Sequence, residues 1–562
     1  MPPEASPPRP DYHPAVHAIS GRRVAGVLLV AVLAACDPSP NPSPSGGVVT
    51  PTSPPGTGSP SAGLGESPAP IPSPTIVAPA AFPLAVVTGL ETLKSVIKLD
   101  ELGAFASSGS LVVPCGIAVT EPALDVTRVC LAAGDVARAI EADQELIALL
   151  PPGLVQPATK VLPIDGDGPY GLFGADLFGD PEARARPYPI VGAATGNPVL
   201  DPGWLQYNAS KVWTMTSIGS LCADRYAARQ AVTNGKGWDW VFGGGTARYK
   251  RTPRLNPNPP PGIDQNLFVE PVETGSDGVV GQVQKRADVA IADHECPIQP
   301  TKDWRPNPGS GLSFAVPEDV VEEWQDTLGL DAVYLAANHM SDRGVAGIRS
   351  TLRILDKHGL PRTGLGMNLD EALEPAYVEV AGIKVAFVAF NDVGGVARAD
   401  EDTAGVPWIT RPNIREAVRR AREGGADMIM CDPQWWGGRE YHDNLLPKQV
   451  RQLGWFQELG CDHVVGAGTH VAGPMLLLAQ PDGDVLSVLA SPGNYVFGQD
   501  FFQNLQEGVI LEQKFVGARL VNVRMHPYVI ILGARPALTN PEGDGHYVLE
   551  RIWKNSTLDY LR

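Results

Sequence analysis

The chain has 562 residues and a formal net charge of −18, with 43% hydrophobic and 19% charged residues, a balance that excludes a wholly disordered polymer. The acidic balance, with no standout cluster of Lys and Arg, excludes nucleic acid as a partner, since such binders neutralise phosphates with basic side chains. No apolar run reaches the ~18–20 residues of a bilayer-spanning helix, which excludes a polytopic membrane protein.

Residues 24–35 (VAGVLLVAVLAA) form a short apolar core behind Arg22 and Arg23, the pattern of a secretory signal. The core ends in Leu33-Ala34-Ala35-Cys36. Small residues before a cysteine mark residues 1–36 as a lipoprotein signal peptide, with Cys36 as the lipidated first residue of the mature chain. Residues 37–75 hold 12 Pro and 8 Ser but only two charged residues, Asp37 and Glu66. Such a segment cannot bury a core, so residues 37–80 read as an extended tether. The expected location is exported and lipid-anchored, on the outer face of the cytoplasmic membrane or in the cell envelope, with the membrane as a partner through the anchor.

Six cysteines remain: Cys115, Cys130, Cys222, Cys296, Cys431 and Cys461. Their spacing matches no zinc–thiolate motif, and an exported chain with six cysteines holds up to three disulfides. Cys115 and Cys130 are close enough to staple one loop. Cys431 and Cys461 read equally as a pair or as free buried thiols.

Residues 81–205 carry short apolar runs (Leu84–Val87, Leu111–Val113, Leu146–Leu150) between charged helical stretches. They read as an accessory α/β domain with no catalytic constellation. Residues 206–562 alternate strands and helices, the pattern of a layered α/β domain. The strands are Val212–Ile218, Ala287–Asp293, Ala332–Ala336, Tyr377–Val380 with Val385–Phe390, Met428–Cys431 and Asp462–Gly466. Helices are expected over 344–359, 412–424 and 447–460, the last opening at Pro447. Ala381-Gly382 marks a hairpin, and Met475–Ala479 with Val485–Ala490 another, so the sheets are mixed.

Polar clusters stand where these strands end, the place where layered α/β folds gather their sites. Asp293-His294-Glu295, Asn338-His339 with Asp342, Gln434-Trp435-Trp436 with Glu440-Tyr441-His442, His470 and Asn494 all follow strands. Imidazoles and carboxylates together suit acid/base hydrolysis, or hydrolysis assisted by one divalent metal such as Zn or Mn.

The same stretches resemble the bacterial CapA family, which is linked to poly-γ-glutamate capsule synthesis and has a fold like the calcineurin-like metallophosphatases. Gly219-Ser220-Leu221-Cys222-Ala223-Asp224-Arg225 resembles the family's opening strand-loop and its Arg. Ala336-Ala337-Asn338-His339-Met340-Ser341-Asp342 resembles its ANNH segment. Trp436-Gly437 with Glu440-Tyr441 resembles its HWG-x-EY element, and Gly466 with His470-Val471 its GHHPHV element. Ser491-Pro492-Gly493-Asn494-Tyr495-Val496-Phe497 resembles its SLGNFVF strand. The resemblance implies a layered sandwich of mixed sheets flanked by helices, and an exopolymer or the capsule-synthesis machinery as partner. It also implies that Cys222 and Cys296, each past the end of a strand lining the site, are paired or close.

The departures bear on the chemistry. Ser220 stands where the family has Asp, Trp435 where it has the His before Trp-Gly, and Ala467 and Gly468 where it has two His. Ser, Trp, Ala and Gly are poor ligands or none, so at most one metal is expected. The resemblance implies Glu295, His339 and Glu440 as acid/base groups and Asp293, His339 and His470 as metal ligands. Asn338, Trp435, Trp436, Tyr441, Arg225 and Asn494 are then the substrate contacts. The implied role is a surface lipoprotein acting in synthesis, release or anchoring of an exopolymer by hydrolysis or transfer. The alternative is a non-catalytic polymer- or ligand-binding module on a degenerate scaffold.

Overall fold

The strand Val212–Cys222 (β1) is buried along its whole length, as a strand must be when both faces of its sheet are covered. The computed structural model describes residues 81–558 apart from 125–128, 197–198, 251–252, 308–310 and 481–482. The expected signal peptide, the expected tether and Cys36 lie outside the described residues.

β1 pairs in parallel with Val289–His294 (β2), and β2 with Ala332–Tyr334 (β3). A second sheet holds Ile383–Asn391 (β4), Met428–Gln434 (β5) and His463–Val465 (β6), again parallel. The first sheet has ten strands and the second seven. Both are mixed. Asn494–Phe497 (β7) runs parallel to β1, whereas Glu507–Val516 (β8) runs antiparallel to β1 and to Arg519–Ile531 (β9).

Period-two alternation divides each strand between two cores. Trp213 and Met215 of β1, Ile291 of β2, Phe387 of β4 and Met430 of β5 meet in one apolar layer between the sheets. On the outer side of the first sheet, Ala290, Ala292 and Val333 pack with Ile348, Leu352 and Leu355 of helix Gly344–His358 (α1). On the outer side of the second, Ile429 and Cys431 pack with Ile414 and Ala421 of Arg411–Glu423 (α2) and with Leu453 and Phe456 of Pro447–Leu459 (α3). The helices begin and end where their capping chemistry says. The Thr410 side chain accepts from the Asn413 N–H, and α3 closes on Gly460 at φ 97°. The result is the expected layered sandwich of two mixed sheets flanked by helices.

Residues 81–205 hold a five-stranded sheet in which Ile147–Leu150 lies between Leu111–Pro114 and Ala85–Gly89. They are fastened to the sheet above by polar contacts. Arg184 makes a bidentate pair with Asp288, 2.9 Å on each arm. Asn522 and Arg524 of β9 donate to the carbonyls of Thr159 and Ser95. The described residues lie within one compact unit, and no helix among them is long and apolar enough to cross a membrane.

Among the described residues three disulfides are present: Cys115–Cys130, Cys222–Cys296 and Cys431–Cys461. The second joins the ends of β1 and β2, with Cα atoms 5.7 Å apart, as the family resemblance implied. The third resolves the open question over Cys431 and Cys461 in favour of pairing.

Candidate functional site

The site lies where the C-terminal ends of β1, β2, β3 and β5 open between the two sheets. Two close approaches set it up. A Cβ on Gly219 would fall 1.9 Å from the Gly493 carbonyl, so only glycine lets β1 and β7 run together there. That contact brings Ser220 and Asn494 side by side in register.

From this corner a chain of polar contacts runs across the cleft. The Ser220 hydroxyl donates to Glu295 Oε1. Glu295 Oε1 lies 3.9 Å from His470 Nδ1, and His470 Nε2 lies 3.5 Å from Glu440 Oε1. Asn494 Oδ1 lies 2.8 Å from His470 Nδ1. Gln499 connects Asn494 to the Tyr441 hydroxyl. Tyr441 and His470 take backbone φ of 57° and 60°, a left-handed conformation that costs non-glycine residues energy and recurs at functional sites. Burial, then the neighbouring Glu440, raises the Tyr441 phenol well above its ordinary range.

Beneath the cleft, period-two alternation along β5 puts Asp432 and Gln434 on the same inward face as Met428 and Met430. Asp293 and Tyr334 reach the same layer from β2 and β3, whose register pairs them. Burial, then the charges of Asp432 and Glu295, pushes the Asp293 carboxyl well above its usual range; burial, then Glu295, does the same to Asp432. Both Asp293 oxygens, Glu295 Oε2, Asp432 Oδ1 and the Tyr334 hydroxyl have no hydrogen-bond partner among the described residues.

The expected site residues therefore separate. Glu295, Glu440 and His470 come together, with Tyr441 beside them. Asn338 joins through Gln434, whose Nε2 donates to Asn338 Oδ1 at 3.1 Å. His339 stands at the rim: its Nδ1 is 2.9 Å from Asp342 Oδ2, and its ring sits edge-on to Phe314. The Phe497 ring lies between the two imidazoles, 6.4 Å from His339 and 4.8 Å from His470. Arg225 lies over Phe314 at 4.4 Å and donates to the carbonyls of Gly311 and Gly498.

Two substrate-contact expectations are corrected. Trp435 follows Gln434 and so points to the opposite face, where it is fully buried against Phe456 and donates its indole N–H to the Ala490 carbonyl. Asn494 is also fully buried, and its amide is spent on His470, Gln499 and Leu505. Trp436, at the start of the following loop, is half-buried. His294, between Asp293 and Glu295, faces away from the site, its ring 4.7 Å from Trp324. Burial lowers its pKa to about 4. Gln434 stood in an expected strand-end cluster but was assigned no role, and Asp432 was missed; the signal available was their alternation with Met428 and Met430.

The family described as "Bacterial capsule synthesis protein PGA_cap" has a model that matches residues 262–499, the stretch carrying Glu295, Asn338, Glu440, His470 and Asn494. Over that stretch the chain is similar to the CapA family. It is 28% identical over 309 residues to the PGA biosynthesis protein CapA of Bacillus subtilis (strain 168), spanning 53% of this chain and 67% of that one. It is 22% identical over 311 residues to the capsule biosynthesis protein CapA of Bacillus anthracis, spanning 54% of this chain and 65% of that one, just under two thirds of that relative's length. Among solved structures, the Haemophilus influenzae NAD nucleotidase is similar at a TM-score of 0.30 and 10% identity, over 62% of this chain and 57% of that one. The 5'-nucleotidase precursor from Thermus thermophilus gives 0.31 and 14%, over 60% and 57%. These likenesses are slight.

At this site the positions where the resembling family has ligands and this chain does not are filled by hydrogen bonding. Ser220 is occupied by Glu295. A Cβ on Gly468 would fall 2.9 Å from Gln434 Cδ, so Gln434 takes the room that a side chain at 468 would need. Among the described residues no group of three His, Cys, Asp or Glu side chains is placed to hold a metal ion. The expected set of Asp293, His339 and His470 does not gather: Asp293 turns down into the inter-sheet layer, and His339 is tied to Asp342 at the rim.

Proposed function

We propose that this chain is a CapA-type envelope protein acting in synthesis, release or anchoring of an anionic exopolymer, by acid/base hydrolysis or transfer at the cleft. Cys36 would anchor it and residues 37–80 would hold the folded part away from the membrane. The observation that carries the catalytic part is His470 set between two carboxylates, with Nε2 3.5 Å from Glu440 Oε1 and Nδ1 3.9 Å from Glu295 Oε1. Nothing in apolar packing calls for three ionisable groups in one chain at a strand-end cleft. His470 is the group to accept a proton from an attacking water or hydroxyl, and Glu440, a quarter exposed, is the one able to return it to a leaving amine or alcohol. Tyr441 and Arg225 flank the opening and orient the polymer.

The test is complementation of a strain lacking the protein with His470→Gln, Glu440→Gln and Glu295→Gln, at matched protein levels. Exopolymer yield or chain length is expected to change at least tenfold for His470→Gln, in the range by which acid/base groups contribute. Wild-type exopolymer from all three would reject catalysis.

A second reading, a polymer-binding module without catalysis, is favoured by the hydrogen bonds of Ser220 to Glu295 and of Gln434 to Asn338. These satisfy side chains at positions where the family resemblance places ligands. Binding of purified exopolymer that survives His470→Gln, with output unchanged, would select it.

A further inference from the structure

The amide of Asn494 has only one way to face. Its Nδ2 lies 3.0 Å from the Leu505 backbone carbonyl and 3.1 Å from Gln499 Oε1. A carbonyl oxygen only accepts, so the group pointing at Leu505 is the NH₂ and the group pointing at His470 is the oxygen. Asn494 is fully buried, and the Tyr528 hydroxyl donates to its backbone carbonyl at 2.6 Å, so the residue is held at both ends.

The consequence falls on His470. Asn494 Oδ1 accepts and stands 2.8 Å from Nδ1; Glu295 Oε1, a second acceptor, stands 3.9 Å from the same nitrogen. Nδ1 must therefore carry the hydrogen, and in the neutral ring Nε2 is then bare. Yet Nε2 faces a third acceptor, Glu440 Oε1, at 3.5 Å. Two lone pairs directed at each other are unfavourable unless a donor bridges them. The ring is held by the Nδ1 contact to Asn494 and packs beside the Phe497 ring, 4.8 Å off.

We infer that Asn494 is a positioning residue that holds His470 as its Nδ1–H tautomer, so that Nε2 and Glu440 together receive a hydrogen-bond donor: a water, or a hydroxyl or N–H of the substrate. The inference deepens the acid/base reading of the cleft and rests on it for its functional meaning, but its structural content stands by itself. No other residue at the cleft combines full burial, a fixed amide and a direct contact with the imidazole.

The experiment is long-range ¹H–¹⁵N NMR on the full folded chain labelled at histidine nitrogens, at an alkaline pH where imidazoles are neutral. The His470 signals are those lost in His470→Gln. The expected wild-type pattern is a protonated Nδ1 and a bare Nε2. Asn494→Asp, which keeps an acceptor in place, should retain that pattern; Asn494→Ala should shift the ring toward the Nε2–H form or a mixture. A wild-type Nε2–H tautomer overturns the inference, and so does an Nδ1–H pattern unchanged in Asn494→Ala. The wild-type spectrum decides the tautomer even if Asn494→Ala fails to fold, and Asn494→Asp then tests whether an acceptor at 494 suffices. If the tautomer is as inferred but exopolymer is unaffected by His470→Gln, the positioning holds and the catalytic reading falls.

Discussion

Gln434 reaches across the gap between the two sheets and donates to Asn338 Oδ1 at 3.1 Å. This contact fixes which residue of β5 belongs to the cleft. By alignment with the family's His-Trp-Gly, the cleft position is Trp435; by strand geometry it is Gln434, because a shift of one residue exchanges the faces of a strand. Gly466 completes the arrangement: a Cβ there would lie 2.5 Å from Trp435 Nε1, so its absence leaves room for the indole to reach Ala490.

Trp435 is therefore a packing residue. Trp435→Ala is expected to destabilise the fold by about 3–5 kcal/mol, the range for a large buried aromatic, measured by urea denaturation. Trp435→His, which restores the family residue type, should also destabilise and should not raise bound metal. Recovery of stoichiometric Zn or Mn by that variant would show that position 435 faces the cleft after all.

The fold was largely legible because its inner strands are apolar and its helices carry clear capping signals. β1, β2, β4 and β5 and the helices α1 to α3 fall within a few residues of their expected bounds. The long hairpin of β8 and β9 was not. The polar run Glu512-Gln513-Lys514 interrupts β8, and Asn522, Arg524 and His526 alternate with apolar residues along β9, a pattern that does not announce a buried strand. In the fold these polar groups are buried under residues 81–205, where Lys514 pairs with Asp176 and His526 with Glu512. Sequence alternation reports polarity, and here polarity is satisfied by a partner segment more than 300 positions away for Lys514. The cleft was legible as a set of strand ends. Which residue of each strand end turned inward depended on register, so Trp435 was misread and Asp432 missed.

Ser220 supplies a hydrogen bond where the family has a carboxylate. Ser220→Ala should cost about 1–3 kcal/mol, because buried Glu295 loses its donor. Ser220→Asp should cost more, on the order of 3–5 kcal/mol, since it adds a charge beside buried Glu295 with no counter-ion. Wild-type protein is expected to hold less than one equivalent of Zn or Mn and to keep its melting temperature after chelation. A melting temperature lowered by chelation would mean that the cleft side chains do hold a metal.

The Cys222–Cys296 bridge closes a loop with a sequence separation of 74 and ties the strands that carry Ser220 and Glu295. Both cysteines are buried. The double variant Cys222→Ser, Cys296→Ser is expected to lose about 4 kcal/mol, from the larger freedom of the unfolded chain. It should also weaken the cleft, because Glu295 N donates to the Leu221 carbonyl beside the bridge. Stability equal to wild type in the double variant would show that strand pairing alone sets this corner.

The buried carboxyls give stability a definite slope with pH. Burial, then the charge of Glu295, raises the Asp432 pKa well above its ordinary value near 3.8. In the unfolded chain Asp432 loses its proton near that ordinary value, while in the folded protein it keeps it. The folded state therefore binds more protons as pH rises past the unfolded value, and stability falls with pH until the folded value is passed. Asp293, raised by burial and by Asp432 and Glu295, contributes in the same direction. Asp432→Asn keeps the shape and removes the titration. It should flatten the decline of stability between mildly acid and alkaline pH and should raise stability at neutral pH, on the order of 1–3 kcal/mol. Denaturation midpoints across that range provide the measurement. A variant whose profile parallels wild type would mean that Asp432 is ionised in the folded protein and that its charge is balanced by a cation.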